Sequence, residues 1–172
     1  MLPTVRSVLD LPELQRGRPS VRSGADELDR RIRWVHVLEL ADVAGHLRGG
    51  ELVLTTGIAL PESPTEMRRY VDALVSIGVA GLVVELGRRY TELPASLLDE
   101  ARRHALPVVA LHRQVAFVAI TEAVHSLILD AQFEQLRSSE TAHRVFTQLS
   151  LDGASVEEIL RQAATMAAAP VV

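Results

Sequence analysis

Residues 47–57 read Leu47-Arg48-Gly49-Gly50-Glu51-Leu52-Val53-Leu54-Thr55-Thr56-Gly57. A short helix is expected to end on the glycine pair, because Gly49 and Gly50 can take the left-handed backbone that a helix stop requires. Leu52–Leu54 is a short apolar run of the kind buried on both faces of a parallel sheet. Thr55, Thr56 and Gly57 follow where that strand ends. In open α/β sheets the carboxyl edge of the strands is where ligands bind. The stretch therefore predicts both a parallel sheet and a small-molecule site at its edge.

The same grammar repeats outward. Ser63-Pro64-Thr65-Glu66 is a capping box with proline at the first helical position. Met67, Tyr70, Val71, Leu74 and Val75 then share one helix face, and Gly78 stops the helix. Gly81–Glu85 reads as a strand, 94–105 as a helix, and Val108–Leu111 as the next strand. Upstream, Thr4 caps a helix over Val5–Leu9, Leu11–Leu14 continues it, Val21 lies in a short strand, and Trp34–Leu38 forms another. Asp42 is expected to cap a short helix through Arg48. Strand-helix-strand repeats of this length imply right-handed parallel crossovers. The expected fold is α/β: a small parallel sheet of four or five strands with packed helices, followed by a long C-terminal helical extension.

After Arg113 the pattern changes. Phe117, Ile120, Val124, Leu127 and Ala131 recur at three and four, and the apolar positions thin out toward Leu149. One long helix is expected, with a break near Ser138-Ser139. Asp152-Gly153 is a turn, and Ser155 with Glu158 opens a further helix. Pro170-Val171-Val172 repeats the logic of Pro107-Val108-Val109, a helix followed by proline and an apolar strand. The expected organisation is a sensory α/β domain over 1–113, a linker and dimerisation helix over 114–150, and over 151–172 the start of a second domain that continues beyond the chain.

Composition narrows the chemistry. Hydrophobic residues make up 48% of the 172, enough for a substantial core, while aromatics are 3%, so aliphatic side chains must build it. The net charge of −4 gives no general attraction to nucleic acid or anionic lipid. There is no cysteine, which excludes thiol catalysis, disulfides and cysteine-ligated metals. All 18 basic residues are arginine, which excludes Schiff-base lysines and the P-loop lysine; a GC-rich genome accounts for the bias. Six histidines are present, without His-x-His or His-Glu-x-x-His spacing. No metal and no cofactor are therefore expected. The N-terminus is not a secretory signal, and Thr121, Glu122 and His125 interrupt the longest apolar stretch, which predicts a cytoplasmic protein without a membrane span.

These pieces together resemble the N-terminal region of purine catabolism regulator (PucR) family transcription factors. The resemblance rests on Thr4-Val5-Arg6 with Leu11-Pro12-Glu13-Leu14, on Arg33-Trp34-Val35-His36-Val37-Leu38-Glu39-Leu40, and on Leu47–Gly57. Gly78-Val79-Ala80-Gly81-Leu82 and Phe117-Val118-Ala119-Ile120-Thr121-Glu122-Ala123-Val124 complete it. It implies a sensory domain ahead of a middle domain and a C-terminal helix-turn-helix, so DNA would be contacted only through a domain absent from these residues. It also implies a small-molecule effector of unspecified identity.

The candidate ligand-binding residues are Glu39, Thr55, Thr56, Gly57, Glu85, Arg88, His112 and Arg113. All fall at or just beyond the carboxyl ends of predicted strands and would converge on one sheet edge. Carboxylates, hydroxyls and guanidinium groups there suit a polar or anionic metabolite. The plainer alternative is that Glu85 and Arg88 are solvated loop ends and that the threonines satisfy nearby backbone groups. Three functions stay open: a ligand-sensing, dimerising regulatory region; a small α/β metabolite-processing enzyme; and a ligand-free dimerisation module. Against the enzyme stand the missing Cys and Lys and the lack of a G-x-S-x-G or P-loop.

Overall fold

The computed structural model describes residues 1–43 and 45–167. The expected strand start at Pro170-Val171-Val172 lies outside them. Two compact units are present, Leu2–Leu129 and a second formed by Asp130 onward with Met1.

In the first unit the elements run α1 (Val5–Leu9), α2 (Pro12–Gln15), β1 (Pro19–Ser23), a 3-10 turn (Ala25–Glu27), β2 (Trp34–Val37), β3 (Glu51–Thr55), α3 (Pro64–Ile77), β4 (Gly81–Glu85), α4 (Ala95–Arg103) and β5 (Val108–Leu111). The sheet has five strands in the order β1-β5-β4-β3-β2. β2, β3, β4 and β5 are parallel neighbours; α3 and α4 supply the crossovers from β3 to β4 and from β4 to β5. β1 is the exception to the expected parallel sheet. It pairs antiparallel with β5, with an irregularity between Val21 and Ser23. Its neighbour β5 lies far along the chain, so no local connection between the two sets the direction of β1.

Every residue of β3, β4 and β5 is buried, which explains why those strands read as continuous apolar runs. Alternation divides them between two cores. Val53, Leu82, Val84 and Val108 face α3 and α4, where Met67, Tyr70, Val71, Leu74, Leu97 and Ala101 close the layer. Leu52, Leu54, Val83, Val109 and Leu111 face the other way, onto Val5, Val8 and Leu14 of the N-terminal helices and onto Ile120, Val124 and Ile128. Each buried Val, Leu, Ile or Met among them contributes about 1.5–3 kcal/mol of burial free energy.

Local signals place the helix ends. The Ser7 N–H donates to Thr4 Oγ1 at 3.2 Å, and the Glu66 N–H donates to Ser63 Oγ at 3.2 Å. Gly78 ends α3 with φ 81°. Asp42–Arg48 is a correction: none of its described residues is helical, and a turn at Gly45-His46 stands in place of the expected helix. Gly49 and Gly50 are left-handed, at φ 93° and 78°, but they serve a different purpose. The Gly50 N–H donates to the Gly78 carbonyl at 2.8 Å, and the Gly50 carbonyl accepts from the Arg33 N–H at 2.8 Å. The pair ties the entries of β2 and β3 to the end of α3.

α5 runs without interruption from Phe117 to Leu151, so the break expected near Ser138-Ser139 is absent. Its first turns belong to the sheet unit, which extends past Arg113 because Ile120, Val124 and Ile128 are buried in the core. In the second unit, α6 (Val156–Ala167) opens on a capping box, with the Ser155 N–H donating to Glu158 Oε2 at 3.0 Å and the Glu158 N–H to Ser155 Oγ at 3.3 Å. Among the described residues no helix is long and apolar enough to cross a membrane.

Candidate functional site

The carboxyl ends of β2, β3, β4 and β5 lie along one edge of the sheet, because those strands are parallel and in register. Glu39, Thr55, Thr56 and Gly57 form one hydrogen-bonded group there. Glu39 Oε2 accepts from the Thr55 hydroxyl at 2.9 Å, and Oε1 accepts from the Thr56 N–H at 2.6 Å. Thr55 Oγ1 in turn accepts from the Gly57 N–H at 3.0 Å. Thr55 is 2% exposed. The carboxylate thus holds the chain where it turns off β3, a charge-assisted brace of the stronger kind.

The other candidates are not drawn into that group. Glu85, also buried, accepts from the Val115 N–H at 3.0 Å and anchors the approach to α5. His112 Nε2 lies 2.8 Å from Ser20 Oγ on the antiparallel strand. The backbone N–H groups of His112 and Arg113 both donate to the Gly17 carbonyl, at 2.8 and 3.0 Å. Arg88 and Arg113 are exposed.

A cavity of about 460 Å³ opens beside this edge, between the loop after β2 and the first turns of α3. Asp42, Val43, Pro61, Glu66, Arg69 and Tyr70 line it. Tyr70 was legible in the sequence only as a core position of α3, since periodicity shows which face a residue occupies and nothing of a cavity at its tip. Burial, with a smaller contribution from the negative charge of Glu39, pushes the Tyr70 phenol up to about 12. At neutral pH the phenol is protonated, as any tyrosine is, and can donate a hydrogen bond. The wall offers two carboxylates, a guanidinium and a phenol on an otherwise apolar surface, the composition of a recognition site for a small polar molecule.

The profile of the Purine catabolism regulatory protein-like family matches residues 7–128. The chain belongs to this family. Among its relatives, the purine catabolism regulatory protein of Bacillus subtilis (strain 168) is 24% identical over 144 residues, covering 84% of this chain and 27% of that protein. The transcriptional activator PmfR of Paenarthrobacter nicotinovorans is 30% identical over 148 residues, covering 86% of this chain and 32% of that protein. The chain thus spans less than a third of the length of either relative; by name the first is a regulatory protein and the second a transcriptional activator. Among solved structures, the CBS and DRTGG domains of the regulatory region of Clostridium perfringens pyrophosphatase, complexed with the activator diadenosine tetraphosphate, align with a TM-score of 0.43 and 11% identity. That alignment covers 73% of this chain and 48% of the other.

The family profile reaches from α1 into α5 and so takes in the whole sheet, the Glu39 brace and the Tyr70 cavity. Ser20 and His112 form a serine–imidazole contact at this edge.

Proposed function

We propose that this chain is the regulatory, ligand-sensing and dimerising region of a PucR-type transcriptional regulator. DNA would be contacted through a helix-turn-helix domain outside these residues. The observation that carries the reading is the 460 Å³ cavity at the strand edge, with the protonated Tyr70 phenol in its wall. Membership of the family supports a regulatory role, and the name of the Bacillus subtilis relative suggests purine-degradation intermediates as the first effectors to try. The net charge of −4 accords with a region that does not itself grip DNA.

Dimerisation is proposed from α5. Leu129, Phe133 and Leu136 are exposed on that helix at spacings of four and three, the pattern of a helix-pairing seam. Light scattering at high concentration should give the mass of a dimer, and a monomer would overturn this part of the reading.

The test of the sensory role is a thermal-shift and calorimetric screen of purine-degradation intermediates. A specific effector raises the melting temperature with its concentration, because it binds only the folded state. Saturable stabilisation without turnover supports the proposal. Turnover of any member would favour the small α/β enzyme, and a complete lack of stabilisation would favour a ligand-free dimerisation module.

A further inference from the structure

The opposite edge of the sheet carries a second cavity, of about 330 Å³, with Arg33, Trp34, His36, His46, Arg48 and Glu51 in its wall. Trp34 and Glu51 are the first residues of β2 and β3 and are paired in register, so the two side chains leave the sheet on the same face. His36 follows on that face two residues along β2. The cavity thus lies at the amino ends of the strands, away from the Glu39 brace.

Its chemistry is lopsided. Two guanidinium groups and two imidazoles surround a single carboxylate among the described lining residues. Arg33 and Arg48 take part in none of the ion pairs formed among the described residues. Glu51 is 7% exposed. Its Oε1 accepts from the Arg48 N–H at 2.7 Å, while Oε2 has no hydrogen-bond partner. A buried carboxylate oxygen without a donor is costly. Trp34, half-exposed, stands in the cavity wall, and its indole also packs against the His125 ring, with centroids 3.9 Å apart.

We propose that this cavity binds a small planar organic anion that carries an N–H donor. The anionic group pairs with the guanidinium groups of Arg33 and Arg48, which suit carboxylate geometry. The planar body stacks on the Trp34 indole. The N–H donates to Glu51 Oε2. That oxygen is enclosed by protein, so binding includes a turn of the Glu51 carboxylate toward the cavity about the Oε1 contact with Arg48. The three recognition elements select together: a carboxylate alone leaves Oε2 unpaired, and an N–H heterocycle alone leaves the arginines unpaired. This inference does not depend on the strand-edge cavity beside Tyr70.

Trp34 is the only tryptophan in the chain, so at a fixed pH, with its His125 contact held constant, its fluorescence reports on this cavity. The probes are orotate (planar, anionic, with N–H donors), benzoate (planar, anionic, no N–H) and uracil (planar, N–H donors, no carboxylate). Orotate should quench Trp34 saturably, and benzoate and uracil should each bind about tenfold or more weaker, the worth of one lost charged hydrogen bond. Glu51→Gln keeps an acceptor for the Arg48 N–H but puts an amide in place of Oε2. It should weaken orotate about tenfold and spare benzoate. Arg48→Met should weaken both carboxylates and spare uracil. Melting curves of each variant check that the fold survives, and calorimetry repeats the titrations without relying on the indole. No saturable orotate signal by either method would overturn the proposal. So would equal binding of the three probes, or Glu51→Gln weakening orotate and benzoate alike in a folded protein.

Discussion

The indole of Trp34 and the imidazole of His125 lie with ring centroids 3.9 Å apart and planes tilted by 35°. The contact joins the edge strand β2 to α5, two elements about ninety residues apart in the chain. His125 Nε2 is buried without a partner. Burial holds the His125 imidazole below its ordinary value of 6.5. A folded-state value below the unfolded one means the contribution to stability is present above about pH 6.5 and is lost as the pH falls through the folded value. We expect the melting temperature to drop on acidification below pH 6.5, with a parallel change in Trp34 emission. His125→Phe should remove both the emission change and this share of the acid sensitivity. An unchanged pH profile of Trp34 fluorescence in that variant would contradict the assignment.

Tyr70 gives the mirror case at high pH. Its phenol is pushed up from 10 to about 12, so the folded state holds its proton longer than the unfolded chain does. Stability is full below the unfolded value near pH 10 and falls as the pH rises toward 12. The loss should amount to about 2–3 kcal/mol. Tyr70→Phe should flatten that alkaline slope in denaturant titrations, and tyrosinate absorbance of the native protein should show one late-titrating phenol that the variant lacks.

The two threonines at the end of β3 should separate cleanly. The Thr55 hydroxyl donates to Glu39 and accepts from the Gly57 N–H. Thr55→Val therefore leaves a carboxylate oxygen and an amide without partners and should cost about 1–3 kcal/mol. The Thr56 hydroxyl makes no hydrogen bond among the described residues; Glu39 holds only its backbone N–H. Thr56→Val should change stability by less than about 0.5 kcal/mol. If the Thr56 hydroxyl meets an effector, the same variant weakens effector binding about fivefold or more. Melting temperature and affinity measured on both variants check this, and a large stability loss at Thr56 with unchanged affinity would remove it from the site.

The glycine pair should tolerate no side chain at its first member. A Cβ on Gly49, at φ 93°, would stand 2.7 Å from the Ile77 carbonyl oxygen. At Gly50, φ 78°, it would meet the flexible Arg33 side chain at 2.9 Å. Gly49→Ala should therefore cost more than Gly50→Ala, the former about 2–3 kcal/mol from backbone strain plus contact with a fixed carbonyl. Equal melting temperatures of the two variants would argue against it. Gly50→Val adds β-branching to the same unfavourable φ and should be worse than Gly50→Ala.

Short-range chemistry determined much of the fold directly in the sequence. Ser63 and Gly78 bracket α3 at both ends, as their capping and left-handed preferences demand. The unbroken apolar runs of β3, β4 and β5 announced strands buried on both faces, and their helical crossovers set a parallel order with one carboxyl edge. These signals are legible because each is settled within a few residues by backbone sterics or side-chain periodicity. What only the tertiary structure decided rests on pairs far apart in the chain: the antiparallel seat of β1 beside β5 and the two cavities. Glu39 was a candidate from its place after a strand, but its partners sit on the next strand and its effect on Tyr70 reaches across to α3. Whether a carboxylate is a free ligand group or a brace depends on which donors packing brings to it. No local propensity encodes that, because the free energy of the pairing arises only when the strands and helices are already assembled.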